Sequence, residues 1–460
     1  QKTAYEIMPS LVGSEMCIRD RSDAFDLPAG TYWLTFYIKG KGKGVGMFWQ
    51  FEGTRTEAVP QIMEGRGERR FNVPSQWTKR EYRVRVARDA GTVRIYFYSV
   101  GTGTLFIDAV SLVPEGGGQE RETPLRPTKP SKVEIRGTAT YLNGKPFLPI
   151  GFYGGEPEAL RGTGFNFIMA GIPDAGFLDR CHRHGIMVSV NLQGVMRAHL
   201  PSQATVAIEP FKNHPAIFAW YVCDEPDHAR WTVPPPEMRL ATTLLHRADP
   251  NHPTWTVVMP WADSNIYQYA DTVDIIATDM YPISDYKRDV LRVARATDVM
   301  RRAVKRQRPV WMVTEATAKA TPQEEYAMTY LAITHGANGI VYWNFNDARR
   351  NPTIWETMVR VSLELKQLMP ALTAPTSKRD VKISNENIHF IAKEHGGRLY
   401  VITVNASREP QRRVQFTLPW LKRTVTARVL FENRTVQIRS GTLADDFGEY
   451  ERHVYEVPLR

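Results

Sequence analysis

Cysteine is scarce, with three in 460 residues. Cys17, Cys181 and Cys223 match the spacing of neither a zinc site nor a disulfide framework. Cys181 falls in a helical stretch and Cys223 in a strand of buried character, so both read as packing residues. Long apolar runs are also missing. No stretch reaches the roughly 18 residues a membrane-spanning helix needs, so no membrane span is expected. The chain has no Gly-rich phosphate loop, no nucleophile elbow and no HExxH pair. His182 and His184 are two apart and cannot share a helical face. No metal and no organic cofactor is implied. The basic excess is modest and scattered: 59 Lys and Arg against 49 Asp and Glu, a formal net charge of +10. Clusters such as Arg66–Arg70 read as solvated faces, and no nucleic-acid partner is expected.

What is present exceeds one ordinary domain in length. Residues 8–21 resemble translated adapter read-through, so residues 1–21 are set aside as an artefactual or disordered leader. No signal peptide is visible, and export to the periplasm or medium of a bacterium is an expectation only. Residues 22–114 carry strand-like aromatic runs at 31–38, 45–51, 82–86, 93–98 and 105–112, separated by Gly-rich turns, which predicts a β-sandwich. Trp33, Trp49 and Trp77 are its candidate sugar-binding aromatics. Residues 115–130, rich in Gly and Pro, read as a linker. Residues 372–460 return to strands and predict a second β-sandwich.

Between them, residues 131–371 alternate short apolar runs with helical patterns. The runs are 147–153, 165–170, 186–192, 217–226, 254–259, 273–281, 309–316 and 339–345. Helical patterns occupy 174–184, 236–248, 285–308 and 322–335, the last with Thr321 and Glu324 in capping-box positions. Near-continuous apolar strands alternating with helices describe a parallel sheet covered by helices. Eight such units predict a closed (β/α)8 barrel, so the fold class is a multidomain α/β plus all-β chain with a central TIM barrel.

Two of the eight runs end in glutamate. The fourth closes Tyr221-Val222-Cys223-Asp224-Glu225-Pro226 and the seventh closes Met312-Val313-Thr314-Glu315. Chemistry in this fold sits at the C-terminal strand ends. Two carboxylates facing each other there suit acid/base and nucleophilic cleavage of a glycosidic bond. The fourth-strand segment resembles the acid/base strand of the clan A glycoside hydrolases, which include cellulases, β-galactosidases and β-mannanases. That clan usually has Asn-Glu-Pro, and here Asp224 stands at the asparagine position. The resemblance implies Glu225 as general acid/base and Glu315 as nucleophile, roughly 5–5.5 Å apart in a retaining enzyme. It also implies that Tyr281 steadies the nucleophile and that Trp343 forms a sugar platform. The 105–112 segment resembles the last strand of jelly-roll carbohydrate-binding modules.

Each supporting residue has a plainer alternative. Tyr281 and Trp343 are either site residues or rim packing. Tyr153, Asn191 and Asn344 at strand ends, and Trp261 beyond the fifth strand, are subsite candidates or structural groups. Asp279 reads as a buried hydrogen-bonding partner or a substrate ligand. A carbohydrate substrate is expected on the leading reading. Two other readings stay open. One is a substrate-assisted N-acetylhexosaminidase in which Asp224 orients the acetamido group and Glu225 is the acid/base. The other is a non-catalytic sugar-binding barrel.

Overall fold

The computed structural model describes residues 5–7, 19–21, 25–53, 61–64, 71–76, 78–115, 129–260 and 263–459. The chain divides into two compact units, residues 1–125 and 126–460.

The first unit is an antiparallel sheet whose core holds Leu34, Phe36, Tyr82, Val84, Ile95, Phe97 and Leu112. Alternate residues of Thr78–Val86 are buried, as a strand with one covered face requires. Two expected turns are absent. Gly30–Gly53 and Thr92–Pro114 each run as one long strand, paired from Tyr32↔Pro114 to Gly53↔Val93. The Gly-Lys repeat at 40–44 continues the ladder, with a register shift between Lys43 and Gly46. Glycine lacks a side chain but not its backbone donor and acceptor, so a glycine run can bulge without ending a strand. Tyr5–Ile7 and Arg19–Arg21, within the segment set aside as a leader, pair with Thr92–Pro114. Trp33 is partly buried; the Trp49 side chain and Trp77 lie outside the described residues.

The second unit is built on a closed parallel barrel of eight strands. They are β1 (Ile150–Tyr153), β2 (Phe167–Ala170), β3 (Met187–Asn191), β4 (Ile217–Asp224), β5 (Thr254–Val258), β6 (Ile275–Met280), β7 (Val310–Glu315) and β8 (Ile340–Trp343). Their near-continuous apolar character follows from burial on both faces. One face fills the barrel with Phe167, Phe218, Tyr221, Trp255, Trp311 and Val341. The other packs Ile217, Trp220, Val258, Ile276 and Ile340 against the helices. A meander of Val133–Arg136, Ala139–Leu142 and Lys145–Phe147 adds Val133, Ile135, Leu142 and Phe147 to the interior cluster. Phe147 meets Phe218, near the start of β4, at 4.9 Å between ring centres, so the meander covers the N-terminal end. Asn143 and Gly144 make its tight turn with φ of 51° and 78°. The opposite end is left for loops.

The C-terminal sheets have three and five strands, and Phe416, Phe447, Ala427, Ile438 and Tyr455 share one core between them, consistent with a β-sandwich. Tyr330 and Glu364 on barrel helices meet Arg452 of this region in a hydrogen-bonded cluster.

Candidate active site

The site begins where β4 stops. Its ladder with β5 shifts register between Tyr221 and Asp224, and Glu225 follows with φ of 44°. A non-glycine residue in the left-handed region is uncommon and clusters at functional positions. The turn is pinned by the Glu225 amide donating to the Val257 carbonyl at 3.0 Å.

Asp224 is held from two sides. The Tyr221 hydroxyl donates to its Oδ1 in a short bond, and that hydroxyl lies 2.9 Å from the Tyr153 hydroxyl. Arg197 Nη2 donates to the Asp224 carbonyl at 3.0 Å and sits 3.7 Å from Oδ2. The same guanidinium lies over the Trp231 ring at 4.1 Å, and His228 stacks on that ring at 3.8 Å. Burial raises the Asp224 carboxyl above its ordinary value, against the Tyr221 hydrogen bond and the Arg197 charge.

Glu225 and Asp279 on β6 influence each other's protonation. Burial, then the Asp224 charge, raises the Glu225 carboxyl. Burial, then Glu225 and Asp224, pushes Asp279 well above the carboxylate range. Asp279 is only 6% exposed, and its Oδ1 has no protein partner. Tyr281 is partly buried against the interior cluster that holds Tyr153 and Tyr221.

Glu315 ends β7 and is 3% exposed. Its Oε1 accepts from the Ile283 amide in a short bond and from the Ser284 amide at 3.2 Å, while Oε2 accepts from the Ser284 hydroxyl at 2.6 Å. The donors expected beside a nucleophile are therefore present, but they come from the residues after Tyr281 rather than from its ring. Burial raises the Glu315 carboxyl, and these hydrogen bonds oppose the rise.

Trp343 ends β8 at 46% exposure, set edge-on to Tyr153 at 5.1 Å, and the peptide joining it to Asn344 is cis. The structure thus gathers Tyr153, Asp224, Glu225, Tyr281 and Trp343 around the mouth, with Asp279 beneath. Asn191 and Asn344 bind the backbone that follows them: Asn191 Oδ1 accepts from the Gln193 amide at 2.8 Å in a turn, and Asn344 caps the next helix, its Oδ1 accepting from the Asp347 amide at 3.1 Å. Trp261 lies outside the described residues. Sequence reasoning missed Tyr221, Arg197 and Ser284. Tyr221 carried a faint signal, as a polar-tipped residue close to a strand end. The other two sit in short helices that follow β3 and β6, and carried none. Among the described residues, no group of three or more His, Cys, Asp or Glu is arranged to hold a metal ion.

Residues 237–364 match the family model of glycoside hydrolase family 42, described as beta-galactosidase. The match takes in Asp279, Tyr281, Glu315 and Trp343 and begins after Glu225. Among solved structures, Gan42B, a family 42 beta-galactosidase from G. stearothermophilus, is similar at a TM-score of 0.52 and 10% identity, covering 71% of this chain and 100% of that one. A family 30 endoxylanase from Clostridium papyrosolvens aligns at a TM-score of 0.46 and 13% identity, over 72% of this chain and 98% of that one. No curated protein sequence matches the chain. The comparisons place this barrel among the (β/α)8 glycoside hydrolases. No single family is assigned.

Proposed function

We propose that the protein is a retaining glycosidase in which Glu225 is the general acid/base and Glu315 the nucleophile. One observation carries the reading: the two glutamates follow or close β4 and β7 of one barrel, Glu225 beside Asp224 and Glu315 among three hydrogen-bond donors. Glu225 has a raised carboxyl beside other carboxyls, as suits a group that must hold a proton and give it to a leaving oxygen. Glu315 receives three protein donors, which favour its ionised form. Each carboxylate oxygen has two acceptor sites, so Oε2 has capacity left beyond Ser284.

In the first step Glu225 protonates the glycosidic oxygen as Glu315 attacks the anomeric carbon. In the second, Glu225 takes a proton from the water that displaces Glu315. Trp343 offers an exposed aromatic face for the apolar side of a pyranose. β-Galactosides are the first substrates to try, because the matched family is described by that activity.

The test is hydrolysis of a panel of aryl β-glycosides, including galactosides, xylosides and N-acetylglucosaminides, by wild type, Glu225→Ala and Glu315→Ala. Glu315→Ala should lose several orders of magnitude in rate. Azide should rescue it to a glycosyl azide of inverted configuration and rescue Glu225→Ala to one of retained configuration. One observation favours a second reading: Asp224, next to Glu225, is fixed by Tyr221 and Arg197, and its charge raises the Glu225 carboxyl. If only N-acetylated substrates turn over and Glu315→Ala stays active, the substrate-assisted Asp224–Glu225 mechanism replaces the first. Sugar binding without turnover would select the non-catalytic barrel.

A further inference from the structure

We propose that Tyr153 and Tyr221 are positioning residues: their hydroxyls form a directed chain, Tyr153 to Tyr221 to Asp224, that fixes Asp224 beside Glu225 as an acceptor facing the substrate. The inference rests on the glycosidase reading above and applies to both the retaining and the substrate-assisted mechanism. Two contacts build the chain. The Tyr221 hydroxyl donates to Asp224 Oδ1 in a short bond, and the Tyr153 and Tyr221 hydroxyl oxygens lie 2.9 Å apart. A phenol has one proton to give. Tyr221 gives its proton to Asp224, so Tyr153 is the donor in the second contact. The reverse order would leave the Tyr153 proton without an acceptor, because among the described residues its hydroxyl has only this partner. A buried donor left unpaired is costly, and both tyrosines are buried.

The rings are held as well as the hydroxyls. Tyr221 stacks on Trp255 at 4.2 Å, and Tyr153 stands edge-on to Tyr221 at 6.0 Å and to Trp343 at 5.1 Å. One packed line therefore runs from the exposed Trp343 at the end of β8, through Tyr153 at the end of β1, to Asp224 at the end of β4. It sets the sugar platform and the carboxylate at a fixed separation across the mouth. From the other side Arg197 Nη2 donates to the Asp224 carbonyl at 3.0 Å and lies 3.7 Å from Oδ2. Oδ1 is thus engaged from inside the barrel, while the carboxylate keeps acceptor sites toward solvent, with 30% of the side chain exposed. An ionised carboxylate only accepts, so the substrate group that meets it is a donor, a sugar hydroxyl or an acetamido N–H.

The titratable and charged groups that bear on Asp224 come from several elements. They are Tyr221 and Cys223 on β4, Tyr153 on β1, Arg197 from the helix after β3, Glu225 next in sequence, and Asp279 and Tyr281 from β6 and the residue after it. Burial raises the Asp224 carboxyl, and the Tyr221 hydrogen bond, then the Arg197 charge, oppose the rise. Burial also holds both phenols well above their ordinary value, so they remain donors. Without the Tyr221 hydroxyl, Asp224 takes up a proton at higher pH. That protonation withdraws an acceptor from the substrate and removes the charge that helps raise Glu225.

The experiment titrates Asp224 by carbon-13 NMR in protein labelled at the aspartate carboxyl carbons, for wild type, Tyr221→Phe and Tyr153→Phe. The Asp224 signal is the one lost in Asp224→Asn. Phenylalanine keeps each ring and its packing. Measurement of kcat/KM against pH, on the aryl glycoside that wild type cleaves fastest, accompanies the titration. In Tyr221→Phe the Asp224 midpoint should rise by about one pH unit or more, because a hydrogen bond to a charged group is lost. The acid limb of kcat/KM should rise with it, roughly a tenfold rate loss per unit below the limb. Tyr153→Phe should move both in the same direction by roughly a few tenths of a unit, since its hydroxyl acts only by strengthening the Tyr221 bond. An Asp224 midpoint unmoved in either variant overturns the chain and leaves that tyrosine to packing alone. An acid limb that stays in place while the midpoint moves overturns the positioning role. If wild type cleaves no glycoside, the glycosidase reading fails by itself, and the NMR midpoints still decide the hydroxyl chain.

Discussion

Trp343 illustrates how much one residue's setting decides. A tryptophan of this size is normally buried, yet this one is 46% exposed at the end of a strand whose other residues are covered. Tyr153 fixes its orientation edge-on, leaving a face open. Trp343→Ala should therefore cost binding rather than folding. About 1 kcal/mol of lost stacking corresponds to roughly a fivefold rise in KM. Steady-state kinetics beside a thermal melt checks this: an unchanged KM, or a melt lowered as far as a core truncation would lower it, defeats the platform reading. At this scale the sequence spoke unevenly. Glu225, Glu315 and Trp343 were legible because apolar runs end at them, and strand ends are where barrels place chemistry. Asn191 ends a strand and Asn344 follows one, but their side chains accept from the backbone just beyond, in a turn and a helix cap, and asparagine suits either task. Ser284 and Arg197 reach the site only because two short helices after different strands converge on it, which no spacing along the chain encodes.

The elements were read better than their junctions. All eight barrel strands fall inside the apolar runs that predicted them, since burial on both faces writes itself directly into composition. The helix expected over 285–308 is instead Pro282–Asp285 and Leu291–Ala303. Lys287 and Arg288 take φ of 52° and 67°, and the Arg288 side chain turns to the buried Glu324, with Nε donating at 2.7 Å. A tertiary ion pair outweighs local helix propensity there. That break positions the Ile283 and Ser284 donors beneath Glu315, so the misread junction is part of the candidate site. The long helix Pro352–Leu372 was not anticipated. By contrast, Thr321 and Glu324 form the expected capping box on Pro322–Thr334, with the Thr321 amide to Glu324 Oε2 at 2.8 Å and the return bond at 3.2 Å. Thr321→Ala should destabilise the protein by about 1 kcal/mol in denaturant titration. A Thr321→Ser variant should recover most of that loss, whereas equal losses in both would point to packing of the threonine methyl instead of the cap.

On the scale of the whole second unit, the barrel and the C-terminal sheets behave as one body because charged groups cross between them. Arg452 joins Glu364 on a barrel helix to Glu432 in the C-terminal region, and Arg408 reaches Glu324. The seam also holds a histidine pair. His335 Nε2 lies 2.6 Å from His389 Nδ1, and His335 Nδ1 lies 3.0 Å from Asp298. Burial first, then the neighbouring His335, lowers His389 from its ordinary 6.5 to about 4, against the pull of Asp298. The consequence for stability has a definite sign. Below 6.5 the unfolded chain protonates this histidine, while the folded chain resists until about 4. The unfolded state then binds more protons, so stability falls as pH drops through that interval. His246 acts in the opposite sense, because its hydrogen bond to Asp274 raises it, and a wild-type profile alone mixes the two. His389→Gln removes only the seam titration while keeping a group able to hydrogen-bond His335. Its melting temperature should decline less than that of wild type between pH 6.5 and 4, with both proteins compared at matched ionic strength. Parallel curves would mean that His389 accepts its proton in the folded protein as readily as in the unfolded chain, and that the seam opens enough to hydrate it.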